Sequence, residues 1–410
     1  MKILVLNSGS SSLKFQLIET SPEQISSNND RLIARGSVER IGSGEAMVSF
    51  DALDRGKTKK ACLIPDHKQA LEAAFQALQG DHGVINDPKE IEAIGHRVVH
   101  GGEYFTAPAA LITGQVLTLI EHCIDLAPLH NPPNLKGIYA SRQLAPHAQN
   151  VAVFDTAFHQ TLPQKAFLYG IPYVHYSRDK IRRYGFHGIS HRYVSYRFGQ
   201  LHNSTREAYK LITCHLGNGC SMAAIEHGRS VDTSMGFTPL EGLIMGTRSG
   251  SIDPGAVLYL IGRADMSKHE VEVLLNRSSG LYGLSGSSND MRDLLTDAAG
   301  GDERARLAID VFCYQIKRYI GSYYAAMNGA DAIIFTGGIG ENSPVVRGLS
   351  CEALDALGIK IDTGKNKAAV GTDADISSDD AKTRAWVIPT NEELLIARDT
   401  LRTILGIEHH

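Results

Sequence analysis

Apolar and polar positions along the first 20 residues predict a β-hairpin. The run KILVLN is followed by the turn-rich SGSSS and then by LKFQLIE, a pattern typical of a strand, a tight turn and a returning strand. Further strand-like runs lie at 31–38 and 46–50. The chain is therefore predicted to open with a hairpin and two more strands.

Helical and strand patterns then alternate through the rest of the first half. A helix is predicted from about Asp66 to Gln79, because Asp66 is a good N-cap and the apolar residues that follow share one helical face. The other predicted elements are a strand in IEAIGHRVVHGG, helices over about 114–126 and 134–145, and a buried strand, VAVFD, at 151–155.

The second half begins with the same pattern. LITCHLGNGCSMAAI, at 211–225, again predicts a strand, a Gly/Asn turn and a strand, although the sequence similarity to the first hairpin is weak. The later predicted elements are a helix over about 303–327, a strand and glycine-rich turn in DAIIFTGGIGEN, the strand AWVIP, and a last helix capped by Thr390 or Asn391. Strands followed by alternating strands and helices, twice over, predict two α/β domains with a cleft between them.

The composition disfavours several classes of protein. Lys plus Arg number 41 and Asp plus Glu 45 in 410 residues, so the net charge is −4, and no long run has one sign. A nucleic-acid coat or a membrane-surface protein is therefore not expected. No apolar stretch approaches the roughly 18 residues of a membrane span, and the N-terminal apolar run is too short for a signal peptide. Six scattered cysteines without a CxxC pair favour reduced thiols in a cytoplasmic protein.

Three glycine-containing segments point to nucleotide binding. The hairpin turn in NSGSSSLK offers amides, hydroxyls and Lys14 to a phosphate, although an ordinary polar turn explains its residue types equally well. HLGNG (215–219) and TGGIGEN (336–342) place glycines after buried strands, where backbone can approach a nucleotide closely. Three such segments together favour a nucleotide site.

Neither common nucleotide fingerprint is present. The nearest P-loop-like stretch, Gly56-Lys57-Thr58, has Asp51 where the upstream glycine is required, and no GxGxxG fits a βαβ unit. A P-loop kinase and a Rossmann dehydrogenase are both disfavoured.

Several charged residues at strand ends suggest recognition of an anion. Arg97 lies in HRVVHGGE and Arg248 in GTRSG, and an arginine on such glycine-flanked backbone suits planar binding of carboxylate or phosphate. Asp155 ends a buried strand, where acids often face a cleft. Glu392 opens the last helix, where interaction with the helix dipole is explanation enough by itself.

One histidine pair has a spacing found in metal sites. His187 and His191 are four residues apart, but the segment has a glycine and lacks the glutamate of HExxH, so zinc is disfavoured. His187 is better interpreted as a donor to a ligand, and His191 as a capping or core residue.

Taken in order, these motifs identify a family. The chain resembles the acetate kinases, of the sugar kinase, heat-shock-protein and actin-like ATPase superfamily. The match covers essentially the whole chain, through NSGSSSLK, HRVVHGGE, LAPLHNPPN, FDTAFHQTLP, RRYGFHGISHRYV, HLGNG, FTPLEGLIMGTRSG, FTGGIGEN and IPTNEELLIARDT.

The resemblance implies a duplicated α/β fold of the actin-like ATPase, ribonuclease H-like type, with the active site in the cleft. The expected domains are 1–155 plus about 393–410, with the phosphate hairpin and carboxylate site, and 156–392, which binds nucleotide. The implied reaction is direct, reversible in-line phosphoryl transfer from ATP to acetate, giving acetyl phosphate and ADP, with Mg²⁺ or Mn²⁺. A cytoplasmic homodimer without nucleic-acid or membrane partners is also implied.

The resemblance also assigns residues to catalysis and to the acid. Asp155 would be the catalytic acid residue, while His187 and Arg248 would stabilise the transition state. Arg97 would bind the carboxylate. The methyl group would be surrounded by Val99, Leu129, Phe186 and Pro239.

The remaining assignments concern the metal and the nucleotide. Asn7 and Glu392 would hold the metal through waters. The phosphates and the nucleotide would be bound by Ser10, Ser12, Lys14, His215, Leu216, Gly217, Asn218, Gly219, Asp290, Met291, Arg292, Gly338, Ile339, Gly340, Glu341 and Asn342. Departures from the family pattern at Ser251, Asn289 and Gly337 leave a change in nucleotide preference open.

Two rival functions remain at this stage. Propionate or another short-chain acid differs from acetate only at the methyl pocket, where Val99 favours acetate weakly. An actin-like or chaperone-like ATPase switch is the distant alternative. Paired Arg97 and Arg248, and the absence of a predicted peptide-binding domain, disfavour it.

Overall fold

The computed structural model describes residues 1–263 and 266–409, and its chain divides into two units. Unit 1 comprises Met1–Ala157 and Asn391–His410, and unit 2 comprises Phe158–Thr390. No helix in the described part of the chain is long and apolar enough to cross a membrane.

Unit 1 contains a sheet of eight strands and five helices in its described part. Its strands are β1 (Lys2–Ser8), β2 (Ser12–Glu19), β3 (Arg31–Glu39), β4 (Ala46–Ala52), β5 (Gly56–Cys62), β6 (Ala93–Val98), β7 (Ala109–Leu111) and β8 (Gln149–Phe154). Its α-helices are α1 (Pro22–Ser27), α2 (His67–Gln79), α3 (Gly114–His122), α4 (Asn131–Leu144) and α16 (Glu392–Leu405).

The sheet of unit 1 has the order β5-β4-β3-β2-β1-β6-β8-β7. Strands β1 to β5 form an antiparallel meander, β1, β6 and β8 run parallel, and β7 is antiparallel to β8. Helices α2 and α4 bury one face, where Leu4 and Phe15 join a core with Leu71. On the other face Gly95 leaves room for α16, because a Cβ there would lie 2.8 Å from Ile396.

Unit 2 contains a second sheet and the remaining helices. Its strands are β9 (Lys210–Leu216), β10 (Cys220–Glu226), β11 (Arg229–Thr233), β12 (Ala332–Thr336), β13 (Ala374–Asp375) and β14 (Arg384–Val387). Its α-helices are α5 (Gln164–Phe167), α6 (Val174–Ser177), α7 (Gly188–Leu201), α8 (Pro254–Arg263), α9 (Lys268–Arg277), α10 (Gly280–Ser285), α11 (Met291–Ala299), α12 (Glu303–Ala326), α13 (Gly337–Asn342), α14 (Pro344–Cys351) and α15 (Thr363–Ala368). Short 3₁₀ helices in the chain are Pro88–Glu90, Ala157–Thr161, Arg206–Ala208 and Asp355–Leu357.

The two sheets share one topology. The order in unit 2 is β11-β10-β9-β12-β14-β13, with β9 to β11 antiparallel, β9, β12 and β14 parallel, and β13 antiparallel to β14. Unit 1 repeats it as β3-β2-β1-β6-β8-β7 and adds β4 and β5. This shared order confirms the predicted duplicated α/β fold.

Most predicted elements are present; the structure decides between the two predicted caps of the last helix and differs from the prediction in other details. Asn391 rather than Thr390 caps α16, because its side chain accepts the Leu394 N–H at 3.1 Å. The GGIGEN segment is itself the helix α13 rather than a turn, because the Glu341 carboxylate accepts the first N–H, that of Gly337, at 2.8 Å. Strands β5 and β7 were not predicted, since β5 is almost entirely polar and β7 has three residues.

A buried ion pair ties the last helix of unit 1 to the loop before β3. Arg398 donates from Nη2 to Asp30 Oδ2 at 2.5 Å and from Nε at 3.1 Å, and the two side chains are 1% and 2% exposed. Thr20 donates to the other oxygen of Asp30 at 2.5 Å. Removal of one charge would leave the other buried and uncompensated.

We therefore expect Asp30→Asn to lower the free energy of unfolding by about 3–5 kcal/mol, the range for breaking a buried pair. Urea denaturation followed by circular dichroism, with amide exchange of α16, measures the loss. The matched control is Asp379→Asn, whose carboxylate is 97% exposed and pairs with Lys365 at the surface. Equal denaturation midpoints for the two variants would contradict this account.

Candidate active site

Three neighbouring parallel strands of unit 1 place polar side chains at one edge of its sheet. Asn7 lies near the end of β1, Arg97 near the end of β6, and Asp155 directly after β8. Carboxyl ends of parallel strands lie side by side, and ligands of open α/β sheets bind there. Arg97 Nη2 donates to Asp155 Oδ2 at 2.7 Å and Nη1 donates to Asn7 Oδ1 at 3.4 Å.

The start of α16 brings a second acid to Arg97. Glu392 Oε2 lies 3.7 Å from Arg97 Nε, and each side chain is 18% exposed. Burial, partly offset by Arg97 and reinforced by the charges of Asp155 and Glu393, raises the pKa of Glu392 to about 7. Burial also opposes the charge of Arg97, but Asp155 and Glu392 more than compensate, so its pKa is raised. Arg97 is therefore a permanent cation among acids.

The phosphate hairpin adds a further cation to this group. Lys14 pairs directly with Asn7 across β1 and β2, so the two side chains lie on the same face of the sheet. The turn between the strands is closed by the Gly9 N–H, which donates to the Ser12 carbonyl at 2.8 Å. Ser10 is exposed and Ser12 half-buried. The charge of Lys14 also acts on Glu392 and offsets a small part of the rise in its pKa.

Two asparagines that the sequence analysis missed hold the loop after β6. The Asn134 side chain accepts the Val99 N–H at 3.0 Å and donates to the Ser8 carbonyl at 2.8 Å. Asn131 accepts the His100 N–H at 3.2 Å and donates to the His100 carbonyl at 3.0 Å. Both belong to the HNPPN segment at the start of α4. An asparagine in the first turn of a helix was the sequence signal that could have identified them as side chains that bind backbone.

The predicted methyl-pocket residues differ in exposure. Val99 is 7% exposed and Phe186 2%, whereas Leu129 is 53% exposed. Leu129 thus does not form a buried wall in this structure. Pro239 is half-buried, and its carbonyl accepts from Arg248 Nη1 at 3.2 Å.

In unit 2 two donors converge on one glycine of the HLGNG turn. A Cβ placed on Gly219 would lie 3.4 Å from His187 Nε2 and 3.8 Å from Arg248 Nη1. Arg248 forms no ion pair with an acid in the described residues, and burial lowers its pKa. His187 occupies the N-cap of α7 with a left-handed φ of 55°. This edge of unit 2 is suited to an anion.

The glycine segments of unit 2 also lie together. Strand β9 ends with His215 and Leu216, and Gly217 and Asn218 follow in the β9–β10 turn. Strand β12, the parallel neighbour of β9, leads into α13. Gly337 approaches Leu216 so closely that a Cβ would lie 2.7 Å from the Leu216 carbonyl oxygen. The α13 residues at this place are Gly338, Ile339, Gly340, Glu341 and Asn342.

A third predicted nucleotide segment contacts the same turn. Asn289, noted from the sequence only as a departure from the family pattern, donates to Asn218 Oδ1 at 3.1 Å. The next residue, Asp290, caps α11 by accepting the Arg292 N–H at 2.9 Å and also pairs with its guanidinium. Met291 is buried at the start of that helix.

The arrangement can bind anions in two ways. Unit 1 offers oxygen ligands and the Arg97 guanidinium, which is held by acids. Unit 2 offers glycine backbone and the Arg248 guanidinium, which has no acid partner in the described residues. Among the described residues, no three His, Cys, Asp or Glu side chains are grouped to hold a metal by themselves. In a duplicated α/β fold, such groups at the strand ends of each unit are typical of a phosphotransferase.

Comparison with known proteins agrees with this class. The sequence profile of the Acetokinase family matches residues 2–398, so the chain belongs to that family. The chain is 54% identical to acetate kinase of Thermoanaerobacterium thermosaccharolyticum over 412 residues, covering 100% of each. The crystal structure of Porphyromonas gingivalis acetate kinase is similar, with a TM-score of 0.92, 41% identity and coverage of 98% and 99%. So is that of a propionate kinase from Francisella tularensis, with a TM-score of 0.90, 41% identity and coverage of 99% and 100%.

Proposed function

We propose that this protein catalyses the reversible transfer of a phosphoryl group from ATP to acetate, giving acetyl phosphate and ADP. The observation that carries the proposal is similarity over the full length to relatives named acetate kinase, at 54% identity in the first case. The geometry of both units supports it, because an acid substrate needs a cationic partner and a triphosphate needs glycine backbone and further cations.

In this proposal the two units divide the work. Unit 1, with its C-terminal helix α16, is the domain of the phosphate hairpin and the carboxylate site. Unit 2 is the nucleotide-binding domain. Ser10, Ser12 and Lys14 contact phosphates, while the HLGNG turn, α13 and the start of α11 contact the nucleotide.

Arg97 is proposed to bind the carboxylate of acetate. Acetate has one methyl group, which provides little binding energy, so paired hydrogen bonds from a guanidinium must orient it. Asp155 and Glu392 hold that guanidinium in place at 2.7 and 3.7 Å. The acids therefore set the direction in which Arg97 presents its remaining N–H groups.

Asn7 and Glu392 are proposed to hold a divalent cation, Mg²⁺ or Mn²⁺, with waters and phosphate oxygens completing its shell. Amide and carboxylate oxygens are the ligands that Mg²⁺ prefers, and a site with few protein ligands is usual for it. Burial is the main cause of the raised pKa of Glu392, about 7, with Asp155 and Glu393 adding to it, and a bound cation would favour the ionised carboxylate. The ion supplies charge stabilisation at the phosphates when bound.

Asp155 is proposed to act by position rather than as a base. The nucleophile is a carboxylate, and with a reference pKa near 4.3 for such groups it is almost wholly ionised at pH 7. There is no proton to remove. The 2.7 Å contact with Arg97 gives Asp155 a different task, the orientation of the acid-binding guanidinium.

His187 and Arg248 are proposed to stabilise the transition state. The transferring phosphoryl group spreads charge over three oxygens, so fixed cations and donors near it lower the barrier most. Both side chains approach Gly219 in the proposed nucleotide turn.

A propionate kinase is the second candidate, favoured by the similarity to the Francisella tularensis enzyme. A cytoplasmic homodimer is proposed from the family resemblance, and sedimentation of the purified protein tests the dimer. Trapping of the acyl phosphate as its hydroxamate tests the function. Formation from acetate, ATP and Mg²⁺ supports the proposal, faster formation from propionate favours the second candidate, and ATP hydrolysis without hydroxamate would indicate an ATPase switch.

We expect Arg97→Ala to raise the KM for acetate far more than the KM for ATP, because the lost contact is to the carboxylate. Arg248→Ala should mainly lower kcat. Steady-state kinetics with each substrate varied separate the two effects. The control is Arg35→Ala, an exposed arginine of the same sheet paired with Asp51. Equal losses of ATP affinity in the Arg97 and Arg248 variants would contradict the assignment of Arg97 to the carboxylate and of Arg248 to the transition state.

Replacement of Val99 tests the methyl pocket. Val99→Ala should raise the propionate-to-acetate ratio of kcat/KM. The corresponding change in transition-state free energy is up to about 1–3 kcal/mol, the range for one methylene in an apolar pocket. The adjacent Val98 is the matched control, because it is fully buried in the core of unit 1 with Phe105 and Ile138. Val98→Ala should reduce stability without moving the ratio. If the ratio is the same in both variants, Val99 does not contact the methyl group.

Asp155→Asn separates positioning from proton removal. It should lower kcat sharply, by the same factor for acetate and for its monofluoro derivative, a stronger acid of similar size. Rates for both acids from pH 5 to 8 provide the measurement. A deficit that grows for the weaker acid as pH falls would show that Asp155 accepts a proton.

A further inference from the structure

A chain of three buried side chains lies behind the ring of His187. Ser221 Oγ is 2.8 Å from His187 Nδ1 and 2.7 Å from His191 Nε2. His191 Nδ1 is in turn 2.7 Å from Thr213 Oγ1. Ser221, His191 and Thr213 are each 0% exposed, so water does not replace any of these contacts.

Three elements hold this chain in place. His187 and His191 lie one turn apart at the start of α7, and the His191 N–H donates to the His187 carbonyl at 3.0 Å. Ser221 and Thr213 come from the antiparallel neighbours β10 and β9. The backbone of His187 is left-handed, with φ of 55°, a conformation that few non-glycine residues adopt.

The contacts favour one order of the protons. Burial keeps the pKa of His191 well below its usual value, with the neighbouring His159 and His215 adding to the effect, so its ring is neutral and has one donor and one acceptor. The Ala223 carbonyl lies 3.5 Å from Thr213 Oγ1; with the Thr213 proton directed to that carbonyl, the hydroxyl accepts from His191 Nδ1 at 2.7 Å.

The order continues to His187. Because Nδ1 of His191 is the donor, its Nε2 accepts the hydroxyl proton of Ser221. The Ser221 oxygen then accepts from Nδ1–H of His187. The first proton of the His187 ring is thereby committed to Nδ1.

We propose that Ser221 and His191 are positioning residues that commit the Nδ1 proton of His187 to Ser221, so that a second proton on Nε2 makes His187 a cationic donor to the transferring phosphoryl group. The proposal rests on the role proposed above for His187. A neutral ring with its proton on Nδ1 would instead present a lone pair at Nε2, which repels phosphate oxygens.

The surroundings of His187 explain why an acceptor is needed. Three titratable or charged groups near the ring are His215, stacked on it at 4.3 Å, His191 behind Ser221, and Arg248, which approaches the same Gly219. The positive charge of Arg248 opposes a second cation nearby. The Ser221 oxygen counteracts this by accepting a hydrogen bond that is stronger from the imidazolium than from the neutral ring.

Nitrogen NMR tests the proton order directly, in the full-length protein labelled with ¹⁵N in the histidine rings. His187→Gln assigns the His187 signals by their loss. We expect a protonated Nδ1 at every pH and a second protonation, on Nε2, whose pKa falls in Ser221→Ala. An unprotonated Nδ1 in the neutral wild-type ring would overturn the proposal, because the chain would then run in the opposite order.

Kinetics supply the second measurement. In Ser221→Ala we expect kcat to fall about ten- to hundredfold, the range for removing the partner behind a metal-bound histidine, with the KM for acetate unchanged. The alkaline limb of the kcat profile should move to lower pH. Ser195→Ala is the matched control, because Ser195 is equally buried on α7 and donates only to the Arg192 carbonyl. A profile identical to that of the wild type would refute the proposal.

A second pair of variants tests the proposal if Ser221→Ala does not fold. Thr213→Val preserves shape but removes the hydroxyl, and should shift the kcat profile in the same direction, whereas Thr213→Ser should restore it. Equal profiles for Val and Ser would contradict the proposed order. If the wild type forms no hydroxamate, the proposed function fails, while the NMR measurement still decides where the protons of His187 lie.

Discussion

The ion pair between Arg97 and Asp155 is the contact on which the rest of the unit 1 site depends. Asp155 is 1% exposed, and a carboxylate so deeply buried is stable as an anion only beside a fixed cation. The same guanidinium is 3.7 Å from Glu392 and 3.4 Å from the amide oxygen of Asn7. One cation thus connects the ends of β1, β6 and β8 with the start of α16. Burial, together with the charges of Asp155 and Glu393, raises the pKa of Glu392 to about 7 although Arg97 lies beside it.

Arg248 of unit 2 differs from Arg97 in that it is not paired with an acid in the described residues. Arg248 is largely buried, has no acid partner in an ion pair among the described residues, and hydrogen-bonds the Pro239 carbonyl at 3.2 Å. Hydroxyl groups contact the histidines near it: Ser221 lies 2.8 Å from His187 and 2.7 Å from His191, and Ser190 lies 2.8 Å from His215. A hydroxyl orients a ring without neutralising it. The positive charge of Arg248 is therefore available to an incoming anion, whereas that of Arg97 is shared with resident acids.

Duplication explains why one topology can support both arrangements. Each sheet places an antiparallel hairpin beside two parallel strands, so each offers a turn and two strand ends at the same edge. In unit 1 these positions hold Asn7, Arg97 and Asp155. In unit 2 the turn is HLGNG, and the neighbouring strand leads into the glycines of α13. The backbone plan is common, and the side chains at the edge decide what each unit binds.

Local residue patterns predicted most of the strands and helices, and they also identified the main chemical groups of the site. Period-2 and period-3.6 patterns located most strands and helices, because burial of one face leaves a local signature in each, and the family motifs named Arg97, Asp155 and His187. Polar or very short elements such as β5 and β7 lacked that signature. The tertiary structure alone decided which groups touch. Arg97 meets Asn7 and Asp155 across 90 and 58 positions, and Ser221 meets His187 across 34. Contacts between residues so far apart in the sequence depend on strand register and on helix packing, and no local pattern of residues records these.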